Sequence, residues 1–347
     1  MIDGHTMQGG DTPSVSVCMP VFNGSRFLPR IFSSLAGQSF KDYELIIIDD
    51  GSNDDSASRS ELLMTQHGIR GIVVRSTNRG AEQSRDLACA HARADLIAQL
   101  DCDDWWEPTY LEEMHGTLRS QRDIDLVYCD LVEQFPDGHT TLKSDIATWI
   151  DLAQAEQHGD LYKFGRGEFF KMLLRGQVLF PPCTVYRKAL YENAGRYAKT
   201  LSDLRVSLDW AFGLRASRIG TIAFLKRPLL RKLIHDANES GDLVRTIGCT
   251  VQVLESILAD PTLSPEETRI ARAYGAMISG WASYESWAGC REQRQAMRWA
   301  LASLRFQWTW RAARLAAYSL IPRSLVEATR PVWSAARKPS RRPPASG

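Results

Sequence analysis

The sequence predicts an α/β protein: a mostly parallel, Rossmann-like sheet flanked by helices, followed by a C-terminal α-helical extension. Three observations carry this. From Val15 to about Leu131, short apolar runs alternate with helical runs, and such βαβ crossovers force neighbouring strands to lie parallel. The run Leu45-Ile46-Ile47-Ile48 reads as a strand buried on both faces, the habit of a parallel sheet. Beyond Asp242 nearly everything has a helical pattern, broken at Pro261, Pro265, Gly289 and Pro322.

Element by element, VSVCMP (15–20) is a strand, and Phe27, Ile31, Phe32 and Leu35 then fall at helical spacing over 26–36. YELIII (43–48) is the second strand, with its helix over 56–68 closed by Gly68. GIVVRS (71–76), a helix over 81–94, DLIAQL (95–100), a helix over 108–118 and DLVYCDLV (125–132) complete the first half. Between 135 and 182 the pattern weakens into Gly, Trp and mixed charge, which reads as loop and short helix, a usual setting for a substrate pocket. Strand and helix return over 183–197, an amphipathic helix over 207–220 and strand-like runs over 221–235. The expected organisation is a polar N-terminus (1–13), a catalytic domain (14–240, divided at 132/133), a basic helical extension (241–337) and a disordered tail (338–347).

Composition narrows the class. Of 347 residues, 44% are hydrophobic and 24% charged, as in an ordinary folded protein. The seven cysteines are scattered without a C-x-x-C pair, which argues against a disulfide framework or zinc ribbon and for a reducing, cytoplasmic compartment. The first 14 residues lack the apolar core of a signal peptide, and no run of about 18 uncharged apolar residues is long enough to span a membrane. The net charge of +1 hides a contrast: residues 291–347 hold 12 Lys+Arg against 2 Asp+Glu, so the first 290 hold 30 against 39. A basic end on an acidic body predicts contact with something anionic.

Chemistry gathers at strand ends. The second strand stops at Asp49 and Asp50 before a Gly-Ser turn, and the fourth runs into QLDCDDWWEP with Asp101, Asp103 and Asp104. Open α/β sheets place their ligand crevice at the carboxyl ends of strands. Two acidic clusters there are more than helix caps require, and carboxylates so close repel unless a cation sits among them. Hard oxygen donors suit Mg²⁺ or Mn²⁺. A solvated acidic turn remains the bland alternative.

VSVCMPVFNG, IIIDDGSNDDS, NRGAEQSRD and AQLDCDDWWEP resemble, in order and at sensible spacing, the four signature blocks of family 2 glycosyltransferases. The resemblance covers Ser14 to His235 and implies the GT-A fold. It also implies a nucleoside diphosphate sugar as donor, a divalent metal on a D-x-D motif and inversion at the anomeric carbon. By position, Phe22 would lie against the base, a contact worth about 1–3 kcal/mol, with Pro20 and Asn23 shaping its loop. Asp50 would meet base or ribose while Asp49 orients the loop, and Arg85 would face base or phosphate. Asp86 departs from the Asn often found after that arginine. Asp103 would bind the metal directly, with Asp101 on ribose or on the metal through water. Asp104 has no firm role, and Trp105 and Trp106 either floor the sugar site or pack.

Inverting transfer also needs a base for the acceptor hydroxyl, while acid duty can fall to the metal-bound diphosphate. The family's helix-start Asp matches Asp209 in VSLDWAFGLRAS, with Leu208 replacing the usual acidic neighbour. A plain helix-terminus charge competes with that reading, and Asp203 is the nearest rival. His235, in RKLIHDANES, resembles an R-x-H segment with a downstream Asn and Ser, and would complete the metal shell or touch the diphosphate. The Q-x-x-R-W signature of processive synthases is absent. The resemblance thus implies one sugar added to a glycan or lipid-linked acceptor, as in cell-surface polysaccharide assembly, with UDP the implied nucleotide.

Residues 294–322 interleave Arg298, Arg305, Arg311 and Arg314 with Trp299, Trp308 and Trp310. That composition suits a helix on an anionic leaflet or a helical annex with solvated arginines. The first would make the protein peripheral on the inner face of the membrane. Other classes fit less well. A dehydrogenase needs G-x-G-x-x-G after its first strand, and a nucleotidyltransferase a Gly-rich basic loop; neither is here. No nucleic-acid module is recognisable. A non-catalytic nucleotide-sugar or membrane-binding relative is the alternative.

Overall fold

The computed structural model describes residues 12–197, 206–235, 243–288, 292–310, 313–314 and 316–317. Asp203, Asn238, Ser240, Arg311, the first 11 residues and the tail expected over 338–347 lie outside the described residues.

The chain begins β1 (Val15–Val21), α1 (Leu28–Ala36), β2 (Tyr43–Asp49), α2 (Ser56–His67), β3 (Gly71–Arg75), α3 (Ala81–His91) and β4 (Leu96–Gln99). β3-β2-β1-β4 lie side by side and all parallel. Every residue of β1, β2 and β4 is buried, as their largely apolar runs predict, and the polar Ser16, Glu44 and Gln99 are buried with them. The register aligns Val21 with Asp49 and Asp49 with Arg75. The carboxyl ends of β1, β2 and β3 therefore reach one edge together. Close packing needs a small residue at the start of β3: a Cβ on Gly71 would fall 1.8 Å from the Leu45 carbonyl oxygen, so any side chain there would push β3 off β2.

The second half is mixed. After β5 (Trp105–Trp106) and α4 (Tyr110–Ser120) come β6 (Leu126–Gln134), β7 (Thr140–Leu142), α5 (Lys143–Ile146), β8 (Glu156–His158), β9 (Leu161–Phe164) and α6 (Glu168–Leu173). β10 (Thr184–Arg187), α7 (Lys188–Asn193), α8 (Leu208–Ile219) and β11 (Ile222–Leu233) follow. The order continues β4-β10-β6-β11-β9-β8, with β5 on β11 and β7 on β6. β10 is antiparallel to both neighbours, and β9 to β11. β11 is one 12-residue strand whose register shifts around Pro228, where a proline has no N–H to give the ladder. The stretch 135–182, which reads as loop and short helix in sequence, holds the short helices α5 and α6 and also three short strands, β7, β8 and β9. β8 is wholly exposed and polar, so no alternation betrays it.

Among the described residues, α9 (Leu243–Leu258), α10 (Pro265–Ala288) and α11 (Gln293–Phe306) complete the order. The chain clusters into two compact units, 1–242 with 248–271, and 243–247 with 272–347. Within the second unit, α10 and α11 approach through small residues. Ser283 Oγ donates to the Ala296 carbonyl at 2.8 Å and Ser303 Oγ to that of Ala276 at 2.7 Å. Phe306 lies over Gly275, where a Cβ would meet its ring at 2.6 Å. No helix among the described residues is long and apolar enough to cross a membrane.

Candidate active site

The β1–α1 loop is knitted to the β2–α2 loop. Asn23, at a left-handed φ of 50°, donates its N–H to Ser52 Oγ at 2.9 Å, and its Oδ1 accepts from Asn53 N at 2.8 Å. Gly24 N donates to Ser56 Oγ at 3.0 Å. Pro20 is buried in β1, while Phe22 stands 46% exposed at the edge, unlike a core aromatic.

Asp49 and Asp50 both accept from loop backbone N–H groups. Asp49 Oδ1 accepts from Ser52 N at 3.3 Å. Asp50, 2% exposed, accepts from Arg79 N at 2.9 Å and Gly80 N at 2.8 Å, one on each oxygen. Loop orientation, expected of Asp49, is thus performed at least as firmly by Asp50. Any contact of Asp50 with a ligand would use its remaining lone pairs.

Asp50 fixes the start of α3, and one turn further Arg85 is buried against the acidic edge. Its Nη2 donates to Asp101 Oδ1, and Nη1 lies 3.7 Å from Glu82 Oε1. Its buried Nε has no partner among the described residues. The neighbouring Asp86 turns the other way. Its Oδ1 accepts from the Tyr191 hydroxyl at 2.5 Å and Tyr197 N at 3.0 Å. Its departure from the family's Asn therefore belongs to packing against α7.

Asp101, Asp103 and Asp104 follow β4, and one ligand oxygen from each lies within 4.8 Å of the others. His235, just past β11, places Nε2 3.0 Å from Asp103 Oδ2 and stacks on Phe27 with ring centroids 5.2 Å apart. Asp104 Oδ1 accepts from Leu233 N at 3.2 Å, while its buried Oδ2 has no hydrogen-bond partner. Burial pushes the Asp104 carboxyl well above the usual carboxylate range, against the pull of Lys232. Burial would lower the Lys232 ammonium, but the carboxylates of Asp104, Asp101 and Asp103 raise it to about 12. An orphaned carboxylate oxygen inside an all-oxygen cluster fits a hard divalent cation. Lys232 went unnoticed in the sequence because a lysine between two strand residues looks like solvent-facing alternation.

Trp105 and Trp106 pack. The Arg30 guanidinium lies 4.5 Å over Trp105. Trp106 is 2% exposed, stacks on Tyr110 at 4.1 Å and donates Nε1–H to the Pro182 carbonyl at 2.8 Å.

Asp209 stands at the first turn of α8, after Ser207 in a left-handed conformation. Its Oδ1 accepts from Trp210 N at 2.7 Å and its Oδ2 from Gln177 Nε2 at 3.1 Å. Burial pushes its carboxyl up, the Arg85 cation opposes this, and Asp101 adds to the rise. The structure thus brings Asp209 into the field of the same arginine that pairs with Asp101. Leu208, where an acidic neighbour is usual, is 1% exposed and part of the core.

The fold and its acidic strand edge are those of the GT-A class of α/β proteins. The model of the family "Glycosyl transferase family 2" matches residues 16–195, and the chain belongs to that family. EpsH of Bacillus subtilis (strain 168), named as a glycosyltransferase, is 31% identical over 228 residues, 65% of this chain and 62% of EpsH. This chain therefore spans under two thirds of that relative. A PGL/p-HBAD biosynthesis glycosyltransferase of Mycobacterium bovis is 25% identical over 68% of this chain and 80% of its own. Among solved structures, S. aureus TarS 1-349 in complex with UDP-GlcNAc superposes with a TM-score of 0.65 at 14% identity, covering 92% of each chain. The mannosyltransferase PcManGT of Pyrobaculum calidifontis, in complex with GDP-Man and Mn2+, gives 0.55 at 16% identity, over 94% of this chain and 86% of its own.

Proposed function

We propose that the chain is a metal-dependent, inverting glycosyltransferase that moves one sugar from a nucleoside diphosphate sugar, a UDP-sugar by resemblance, to a hydroxyl of a glycan or lipid-linked acceptor, as in surface polysaccharide assembly. The observation that carries this is the convergence on one sheet edge of the Asp101–Asp103–Asp104 cluster with His235 and of an enclosed carboxylate, Asp209, in the field of Arg85. UDP-GlcNAc in TarS and GDP-Man with Mn2+ in PcManGT support a nucleotide-sugar donor and a divalent ion.

Phe22 lies against the base, on a loop shaped by Pro20 and Asn23, with Asp50 bordering base or ribose and Arg85 the base or phosphate. Asp103, Asp101 and His235 hold Mn²⁺ or Mg²⁺, with Asp104 beside them. When bound, such an ion supplies Lewis-acid neutralisation of the leaving diphosphate. Asp209 takes the acceptor hydroxyl's proton as the new C1–O bond forms on the face opposite the departing diphosphate. Residues 14–240 form the catalytic domain and 241–337 the extension.

For the extension we propose an anionic membrane face. On α11, Arg294, Arg298, Leu301 and Arg305 are exposed at i, i+4, i+7 and i+11, one stripe of the helix. Trp308 and Trp310 follow, 61% and 79% exposed. Arginines beside exposed tryptophans suit a lipid headgroup layer, which supports a peripheral position on the cytoplasmic leaflet.

The deciding experiment is a thermal-shift screen of UDP, GDP, CDP and dTDP, each with and without Mn²⁺, on wild type and Asp103→Ala. A metal-dependent shift with one nucleotide, lost in the variant, is expected. No shift on folded protein would remove the donor-site reading and leave the non-catalytic relative.

A further inference from the structure

The base proposed above has a partner in the stretch of sequence that matches no motif. Between α6 and β10 the chain runs Leu174-Arg175-Gly176-Gln177-Val178-Leu179-Phe180, and Leu174, Val178 and Leu179 are buried. Trp149 closes over Gly176: a Cβ there would sit 2.7 Å from its ring. The segment is thus clamped from both sides, and Gln177 projects from a fixed backbone toward the start of α8.

The Gln177 carboxamide has one allowed orientation. Nε2 donates to the Leu179 carbonyl at 3.2 Å and to Asp209 Oδ2 at 3.1 Å. Flipping the amide would set its oxygen against two acceptors, so the network fixes which atom is which. Asp209 is consequently held on two sides, by Trp210 N on Oδ1 and by Gln177 on Oδ2. Gln177 Oε1 is then left buried with no hydrogen-bond partner among the described residues. A buried carbonyl without a donor is unfavourable, so this oxygen suits an incoming O–H or N–H. The other charged or titratable groups that bear on Asp209 are Arg85 from α3, Asp101 after β4 and Tyr197 after α7.

We propose that Gln177 is the acceptor-side positioning residue of this site: its NH₂ group orients the Asp209 carboxylate, and its Oε1 receives a second hydroxyl of the acceptor. The acceptor is then a sugar or other polyol with two neighbouring hydroxyls, one given to Asp209 for deprotonation and one to Gln177 for alignment. This rests on Asp209 being the base. It explains why the carboxamide oxygen of Gln177 is buried yet unpaired before the acceptor arrives.

The test uses the full chain with Gln177→Leu, the isosteric Gln177→Glu and Asp209→Asn, each checked for wild-type circular dichroism. The Asp209 carboxyl is followed by pH titration with ¹³C-labelled aspartate, its signal assigned by loss in Asp209→Asn. A hydrogen bond to the ionised form lowers a carboxyl pKa, so the titration must move to higher pH in Gln177→Leu and further in Gln177→Glu. A packing role alone would leave it in place. Initial rates are then measured with a panel of hexose conjugates of the nucleotide picked out by the screen, against methyl hexopyranosides and their monodeoxy analogues. Gln177→Leu is expected to lower kcat/KM for the intact glycoside by about 10- to 100-fold, the loss of one hydrogen bond to a charged group. It should remove the penalty for deleting the neighbouring hydroxyl and leave nucleotide affinity unchanged. Unmoved titration in both variants, or an undiminished deoxy penalty, overturns the proposal while Asp209→Asn remains inactive. If Asp209→Asn still transfers sugar, the base assignment itself falls, and Gln177's role with it.

Discussion

Asp50→Ala tests the strand-end logic at its most buried carboxylate. The substitution removes two charge-assisted hydrogen bonds, from Arg79 N and Gly80 N, and leaves both N–H groups unanswered at a position 2% exposed. Each bond to a charged group is worth about 1.5–3 kcal/mol. With partial relaxation of the 79–80 loop toward water, the expected loss is about 3–5 kcal/mol. Asp50→Asn keeps one accepting oxygen and sets an NH₂ group against the other N–H, so it should lose roughly half of that or more. Urea unfolding followed by circular dichroism reads both as a lower midpoint at unchanged slope. A fall in Tm of about 5–10 °C for Asp50→Ala should accompany it. Because Gly80 precedes α3, which carries Arg85, nucleoside diphosphate binding should weaken in parallel. An Asp50→Ala protein within about 1 kcal/mol of wild type would refute the reasoning, since the two backbone donors would then be satisfied without the carboxylate.

Three further outcomes are expected. Burial raises the Asp209 carboxyl, so the protonated form is favoured in the folded state. Asp209 therefore contributes stability at acid pH that is lost as pH rises through its folded pKa. Transfer should rise with pH over that same interval, and Asp209→Asn, assayed at pH 8, should unfold at the same or higher urea concentration than wild type while losing transfer. Asp86→Asn keeps the single oxygen that serves Tyr191 and Tyr197, so its stability should change by about 1 kcal/mol or less and its nucleotide thermal shift not at all. Reversing Arg294, Arg298 and Arg305 to Glu should cut co-sedimentation with phosphatidylserine vesicles by more than about 100-fold, at about 1 kcal/mol per basic residue removed. Phosphatidylcholine vesicles should show no comparable change.

What the sequence reveals and what it hides have physical reasons. The β1–β4 half is legible because its buried strands are mostly apolar, with Ser16, Glu44 and Gln99 as buried exceptions, so the carboxylate pairs at Asp49–Asp50 and Asp101–Asp103 mark where β2 and β4 run out. Asp209 is legible only through a resemblance, since an acidic residue at a helix start has an ordinary use there. Gln177 and Lys232 carry no local signal. Gln177 becomes meaningful through a partner 32 positions away. Lys232 gains its significance from three carboxylates that reach it across the sheet edge. β8 was invisible for a different reason: an exposed polar edge strand, such as Glu156–His158, has no buried face to write an alternating pattern.

The acidic edge raises a question of sign that the cations around it answer. Three carboxylates within 4.8 Å would repel one another in a folded chain without a metal, yet the surroundings limit that repulsion. Arg85 pairs with Asp101 from the α3 side, and Lys232 on β11 bears on all three. The two cations come from different elements, α3 and β11, so the compensation depends on the sheet being assembled and is absent from the unfolded chain. A site balanced in this way keeps its oxygens near their working positions before a ligand arrives, and preorganisation of that kind spares the binding step the cost of arranging them. Arg85 has a second consequence. It pairs with Asp101 on the donor side and also opposes the rise in the Asp209 carboxyl. Under the roles proposed for Arg85 and Asp209, a charge brought next to Arg85 by a bound nucleotide would be felt at Asp209.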